Sequence, residues 1–417
     1  MKSIKALSLA VLFSAFIALP AMPQEVMRLT LDEVVKLASE QSPQAYMAKH
    51  RFRSSYWQYR TFVADYRPIL SLTGNMPDYS TAYNRVWNST AQQWEYASTN
   101  VLQTTGNLSL AQNIGLTGGS ISLFSDLTYE KNFEDDGEKY ITSPLNIRLI
   151  QPIFRYNELR WQKKIEPLKY EQARKTYLSD VENVHAMAVQ YFFNLALAQI
   201  NREIAETNMQ NADTLYRIAV GRYNLGTIAE DELLQMELSY LNAGTEINSS
   251  EMNLRDRELK LRSFLGFNQS VRLELIIPSE IPDLEVDVNE VLKLAEANNP
   301  KLIELERQLV EAQSSVAQAK AEKGLNVNLT ASYGLRDQDP MLDMAYNQPN
   351  QQQTIRLGFS LPILDWGQGR GRYKMAKSSE ELTRVSVEQE RIDFEQSLLL
   401  DVQQFNMQDD QVRIAAK

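Results

Sequence analysis

Two periods divide this chain. Between residues 120 and 149, and again between 326 and 361, apolar and polar residues alternate with the two-residue period of a strand. Ile121, Leu123, Leu127 and Tyr129 fall on one face, opposite Ser120, Ser122, Asp126 and Thr128; Leu145, Ile147 and Leu149 then alternate with Asn146 and Arg148. Further on, Val327, Leu329, Ala331, Tyr333 and Leu335 oppose Asn326, Asn328, Thr330 and Ser332, and Ile355, Leu357, Phe359 and Leu361 oppose Thr354, Arg356, Gly358 and Ser360. The spacing predicts two hairpins, with extra strands around residues 69–74 and 108–115. Such alternation suits equally a membrane sheet with lipid on one side and water on the other, or an ordinary antiparallel sheet with one wet face.

The second period is helical. From Glu158 to Tyr223 there is one Pro, Pro167, and no Gly before Gly221, which predicts a helix of about 60 residues, ~90 Å long. Beyond a short turn, Leu233, Tyr240, Ile247, Leu254 and Leu261 recur every seven residues, with Met236, Ala243 and Ser250 three after the first three of them. That is a coiled-coil seam and implies an antiparallel helical hairpin. In the turn, Gly226 suits the left-handed conformation that ends a helix. Thr227 and Glu230 are spaced as a capping box for the returning helix, with Asp231 and Glu232 favourable near its positive end.

The chain also repeats itself. Residues 32–43 align without gaps to residues 289–300, an offset of 257, with six of twelve positions identical. Each copy predicts a helix start, with Thr30 or Asp287 accepting from first-turn amides, Glu33 or Glu290 reaching back, and a Pro closing the segment. A second pair, residues 151–157 and 361–367, lies at an offset of 210, each closing a strand and opening a helix. The offset falls by 47, so the first copy carries about that many additional residues between Pro43 and Pro152. The domain division is therefore a leader at 1–21, a first repeat at 22–285 and a second at 286–417.

Lys2, Lys5 and the apolar run from Ala6 to Leu19 read as a secretory signal, too short for a spanning helix. No later stretch approaches the ~20 apolar residues of a membrane helix, so a membrane-spanning form must use strands. One chain has too few for the ~8 that close a barrel, and lipid tolerates no open edge, so several copies must share one. The chain has no Cys, which excludes disulfides, thiolate metal sites and lipidated cysteines. Without Lys2 and Lys5 there are 41 basic and 53 acidic residues, a net charge of −12 that argues against nucleic acid as a partner.

Together, the duplicated helix start, the two strand-to-helix motifs and the turn from Gly221 to Asp231 make the chain, from about Leu29 onward, resemble the TolC-like outer membrane efflux proteins. That resemblance implies a mainly α fold with β: long antiparallel helical hairpins plus membrane β-hairpins, in a trimer sharing a 12-stranded barrel, four strands per protomer, continued as a periplasmic α-barrel. It implies the outer membrane of a Gram-negative bacterium, and a passive exit duct of a tripartite efflux pump or type I secretion system. Its partners would be outer-membrane lipid, a periplasmic adaptor and an inner-membrane transporter. The adaptor-docking tip maps onto Arg222, Tyr223, Asn224, Leu225, Gly226 and Thr227. Glu230 and Asp231 are candidates for the acidic groups that narrow the closed aperture in some members, although helix capping explains them equally. Asn328, Thr330, Arg356 and Ser360 would face the water-filled bore. Two departures stand out. The first repeat carries an extra strand or hairpin before Tyr129. At the 210 offset, Lys417 falls 14 residues before the counterpart of Gly221, so a second tip turn and return helix, about 60 residues by comparison with the first repeat, lie outside this sequence. The sequence as it stands is expected not to complete a closed helical duct.

No catalytic constellation emerges, so no enzyme activity, cofactor or metal is expected. His50 and His185 sit alone on helices, residues 117–120 lack the Lys of a phosphate loop, and residues 367–371 lack dinucleotide-binding spacing and read as a flexible bend. Tyr79, Tyr83, Trp87, Trp94, Tyr96, Phe124, Tyr129 and Phe133 suit an interfacial aromatic belt or packing in long loops. The alternative function is a soluble periplasmic coiled-coil interaction protein, which accounts for the helices but not for the leader or the two-faced strands.

Overall fold

The computed structural model describes residues 25–88, 90, 92–134, 136–267, 271–278 and 284–415. The expected leader at 1–21 lies outside the described residues. In chain order the elements are β1 (Glu25–Leu29), α1 (Leu31–Gln41), α2 (Pro43–Ala64), β2 (Ile69–Asn88), β3 (Gln93–Ile114), β4 (Gly119–Asn132), β5 (Gly137–Ile153), α3 (Glu158–Asn224), α4 (Glu230–Leu265), β6 (Val271–Leu275), α5 (Val288–Asn298), α6 (Pro300–Glu322), β7 (Asn326–Asp339), β8 (Asn350–Ser360) and α7 (Gln368–Ala415). They fall into two compact units, residues 1–50 with 178–283, and residues 51–177 with 284–417.

The duplicated segment builds the same local structure twice. At α1 the capping box is complete: Glu33 N–H donates to Thr30 Oγ1 at 3.4 Å and Thr30 N–H donates to Glu33 Oε2 at 2.8 Å. That backbone hydrogen bond holds the Glu33 carboxyl below its ordinary pKa. At α5, Glu290 N–H donates to Asp287 Oδ2 at 3.1 Å. Pro43 and Pro300 then open α2 and α6, where the first helical position needs no N–H.

In the first unit, β1 and β6 pair in parallel. The core gathers Val34 and Ala38 of α1, Phe192 and Leu195 of α3, and Leu261 and Leu265 of α4, all fully buried. Along the helical hairpin the predicted seam is present: Leu233, Met236, Tyr240, Ala243, Ile247 and Leu254 are all partly sheltered, and Ser250 is buried. Facing duty on α3 falls to Ala198, Ala205, Ala212 and Ala219, four buried alanines seven residues apart. Sequence reading missed this seam because alanine carries no strong apolar signal. Tyr191 packs on Phe264 with ring centroids 4.9 Å apart and Tyr216 stacks on Tyr240 at 5.5 Å. Advancing 25 residues on α3 retreats 24 on α4, so the antiparallel register holds without a slip.

The second unit is built on one antiparallel sheet in the order β2-β3-β4-β5-β7-β8. Among the described residues this sheet has six strands, two more than the four implied for each protomer, in keeping with the extra strand or hairpin expected before Tyr129. The expected strand fragments near 69–74 and 108–115 are the ends of a full hairpin, β2 and β3, of 20 and 22 residues. Viewed from both neighbours, β5 carries an extra residue between Thr142 and Asn146. Opposite this bulge stands Gly334, where a Cβ would lie 2.8 Å from the Leu145 carbonyl oxygen and collide with the Asn146 side chain. Around the sheet, an aromatic ladder of Phe52, Tyr56 and Tyr59 on α2 meets Tyr170 of α3, with the Tyr59 and Tyr170 centroids 4.8 Å apart. Lys301 of α6 reaches Glu390 of α7 at 2.8 Å, and Asn406 of α7 bonds both backbone groups of Val286. Among the described residues, no helix is long and apolar enough to cross a membrane.

Candidate functional site: sheet faces and hairpin turn

Pairing registers sort every strand residue to one of two faces. One face carries Leu70 and Leu72 of β2, Leu108 and Leu110 of β3, Ile121, Leu123 and Leu127 of β4, Ile147 and Leu149 of β5, Val327, Leu329, Ala331 and Tyr333 of β7, and Ile355, Leu357 and Phe359 of β8. This apolar set is not tucked against a core. Leu72 is 77% exposed, Ile355 81% and Phe359 79%. A contiguous apolar surface over six strands far exceeds the scattered exposure of a soluble monomer. Of the residues expected to form an aromatic belt or to pack in long loops, Tyr79, Tyr83, Trp87, Trp94, Tyr96 and Tyr129 lie farther along this same face. Phe124 departs from that expectation: it sits on the opposite face, where the Arg148 guanidinium lies 4.5 Å from its ring centre.

The opposite face is polar. All four expected bore residues lie on it: Thr330 is directly across from Arg356, Asn328 from Gly358, and Ser360 from Asn326. Sequence reading missed their continuation on the inserted hairpin. There the Ser71 and Ser109 hydroxyls meet at 2.9 Å, Gln103 donates to Glu130 Oε2 at 2.8 Å, and Asn107 donates to Asp126. Asp126, Glu130, Arg148, Arg336 and Arg356 all share this face, so it carries both signs of charge.

Both strand-to-helix motifs open helices as expected, but by different caps. Asn157 Oδ1 accepts from Arg160 N–H at 3.0 Å, while its Nδ2 donates to the Gly115 and Leu116 carbonyls at 3.1 Å. In the second motif the cap moves two positions earlier: Asp365 accepts from Gly369 N–H at 2.7 Å and Gly367 N–H at 2.9 Å. Residues 367–371 are thus a helix start, with α7 beginning at Gln368, instead of the expected flexible bend. The Gly369 and Gly367 amides hold the Asp365 carboxyl below its ordinary pKa. A depressed folded pKa means that the cap's contribution is complete above the unfolded value of about 3.9 and is lost as pH falls through the folded value. Thermal melts in detergent from pH 6 to pH 3 should therefore show an acid-dependent component in the wild type that Asp365→Asn lacks.

The turn between α3 and α4 closes as a double-bonded helix stop. Gly226, at φ +71°, donates its N–H to the Tyr223 carbonyl at 2.8 Å, and Thr227 N–H donates to the Arg222 carbonyl at 3.0 Å. This corrects the capping box expected of Thr227 and Glu230. The Thr227 hydroxyl also donates to the Arg222 carbonyl, at 2.9 Å, and α4 starts from Ala229 with no side-chain cap. Thr227 ends one helix instead of starting the next, because the left-handed Gly226 turns its hydroxyl back onto α3. Arg222 to Thr227 are all exposed, with Leu225 at 80%, as are Glu230 and Asp231. His50 is exposed on α2, and His185 on α3 meets Glu182 at 3.2 Å.

A helical hairpin and a sheet with one apolar and one polar face are the parts of a strand-built membrane channel. The sequence profile of the outer membrane efflux protein family matches residues 34–267 and 291–417. The chain belongs to this family. It is accordingly a protein of the Gram-negative outer membrane that extends into the periplasm, and the soluble periplasmic alternative falls away. The outer membrane protein TolC of Escherichia coli K12 is 22% identical over 272 residues, covering 62% of this chain and 54% of that protein. TolC of Salmonella enteritidis is 22% identical over 269 residues, covering 62% and 53%. This chain thus spans about half the length of the curated relatives it matches. In fold, it resembles the Campylobacter jejuni CmeC outer membrane channel with a TM-score of 0.62 at 16% identity, covering 92% of this chain and 73% of that one. Efflux proteins of this family are channels, not an enzyme family.

Proposed function

We propose that this chain forms, as a trimer, the passive exit duct of a tripartite efflux pump or type I secretion system, coupled to a periplasmic adaptor and an inner-membrane transporter. The observation that carries this reading is the division of all six strands into one continuous apolar face and one continuous polar face. Lipid covers the first, and solute passes the second, where Asn328, Thr330, Arg356 and Ser360 line the bore. Its mixed charge favours no single class of solute, so selection rests with the inner-membrane partner. The two repeats, 22–285 and 286–417, each supply strands to the membrane wall and helices to the periplasmic wall.

The turn Arg222, Tyr223, Asn224, Leu225, Gly226 and Thr227 is the adaptor-docking tip, and Glu230 and Asp231 contribute negative charge beside it. Detergent extracts should contain the protein as a trimer in the outer-membrane fraction; a monomer that needs no detergent would overturn the reading. Gly226→Val places a β-branched residue at φ +71°, at a cost of about 1–3 kcal/mol in the turn. Export is expected to fall several-fold while the amount in the outer membrane stays within about twofold, since strain of that size is confined to the exposed turn. Unchanged export would remove the tip from the docking surface.

A further inference from the structure

The six-stranded sheet has two open edges, β2 and β8. In lipid, each would leave a row of unpaired N–H and C=O groups. Neither edge can be closed within the chain, because six strands fall short of the ~8 of the smallest barrels. The two edges are complementary: β2 begins at the end of α2 and runs away from the helices, while β8 runs back toward α7, so one edge of each copy meets the other edge of the next in antiparallel sense.

The apolar face sets the register. Through Leu70, the line of paired residues runs Leu110, Leu123, Ile147 and Tyr333 and meets β8 at Gln353. On β8 the apolar residues lie beyond that point, at Ile355, Leu357 and Phe359. From its centre between Leu70 and Leu72, the apolar band has therefore drifted toward the helix end by about five residues over five strand steps. With a rise of about 3.3 Å per residue and strands about 4.8 Å apart, one residue per strand is a tilt of about 35°. Outer-membrane barrels have strands tilted by about 35–45°. One more step of the same drift carries Leu357 of β8 onto Leu72 of the neighbouring β2.

We propose that β8 of each copy pairs antiparallel with β2 of the next, Leu357 opposite Leu72, closing an eighteen-stranded barrel from three copies. This rests on the trimeric channel proposed above. The pairing matches apolar to apolar residues, Phe359 with Leu70 as well as Leu357 with Leu72, and polar to polar residues, Arg356 with Thr73. It runs over Ile69–Asn75 against Thr354–Ser360 and ends where β2 becomes irregular between Asn75 and Asp78, a stretch that includes Pro77. Proline has no N–H to give a neighbouring strand, and the bulge breaks the ladder, so both mark the end of pairing. The matching part of β8, residues 350–353, is Asn-Gln-Gln-Gln, polar sequence fit for water beyond the lipid. Barrel diameter grows roughly linearly with strand number, so the exit is about half as wide again as a twelve-stranded one.

The absence of native Cys makes the test clean. Leu72→Cys with Leu357→Cys, and Thr73→Cys with Arg356→Cys, are oxidised in isolated outer membranes and resolved without reductant. The proposal expects most of the protein in covalent dimers and trimers, nothing larger, full reversal by reductant, and no such ladder from single variants. Pairs shifted by two residues, such as Leu70→Cys with Leu357→Cys, should react several-fold less. A ladder that stops at dimers means two copies and twelve strands and overturns the proposal. A detergent-stable trimer with no cross-link at any pair overturns the edge pairing alone and leaves the channel reading standing. Loss of the wild-type protein from the outer membrane overturns both.

Discussion

Leu357→Arg on β8 is expected to abolish accumulation of the assembled protein in the outer membrane, whereas Thr354→Arg, three residues earlier on the opposite face, should leave it largely intact. Leu357 lies in the centre of the exposed apolar set of β8, and Thr354 lies opposite Ser332 on the polar face. Arginine on the lipid side of a barrel costs about 2–4 kcal/mol at the bilayer midplane, which in the proposed trimer adds up to about 6–12 kcal/mol. On the bore side the same charge stays in water, beside Arg356, whose own guanidinium the polar face already tolerates. Quantifying heat-resistant trimer in outer-membrane fractions separates the two variants. Equal loss from both would mean that the faces are not lipid and water.

In the first unit the largest loss is expected from Phe192→Ala. Phe192 is fully buried among Leu195 of its own helix and Leu261 and Leu265 of α4, with Val34 and Ala38 from α1. Emptying such a site removes the ring's transfer energy and leaves a cavity, together about 3–5 kcal/mol. Against a typical stability of about 5–15 kcal/mol, that is a large fraction. Three segments far apart in sequence meet there, so the loss unties the root of the helical hairpin as well as one side chain. Limited proteolysis should cut the variant between α3 and α4 at markedly lower protease than the wild type. Phe192→Leu, which refills most of the volume, should recover most of the resistance; equal sensitivity of both variants would mean that volume is not what Phe192 supplies.

How much of this was legible depends on where each signal resides. The strands around Ile121–Tyr129 and Val327–Leu335 could be read directly, because one buried or lipid-facing side imposes a two-residue period that survives in the residues themselves. The same holds for the seam Leu233, Tyr240, Ile247, Leu254 and Leu261, and for the capping box at Thr30 and Glu33, whose partners lie three residues apart. By contrast, β2 and β3 were visible only at their ends. Between Gly74 and Gly106 the chain is rich in Asn, Gln, Ser, Thr and Tyr, and its strand character comes from pairing with a partner strand, which no local period encodes. The alanine seam of α3 escaped for a related reason: alanine becomes a seam residue only when a second helix supplies the bulk, as Tyr240 and Ile247 do here.

Local competition decided the caps. Thr227 had the spacing to start α4 and instead ended α3, since the left-handed Gly226 brought the Arg222 carbonyl within reach of both its N–H and its hydroxyl. Arg155 and Asp365 occupy matching motif positions, but an arginine side chain has no acceptor to offer the free amides: Asn157 therefore caps the first motif, while Asp365 caps the second. Sequence by itself determined the duplicated plan, the two periods and the division of strand residues into greasy and polar sets. Only the tertiary structure decided that six strands and not four stand in one sheet, and that its two faces run unbroken from Leu70 to Phe359. Hydrogen bonds between strands join residues that are far apart in the chain, so the count and the order of strands are properties of their pairing and not of any segment alone.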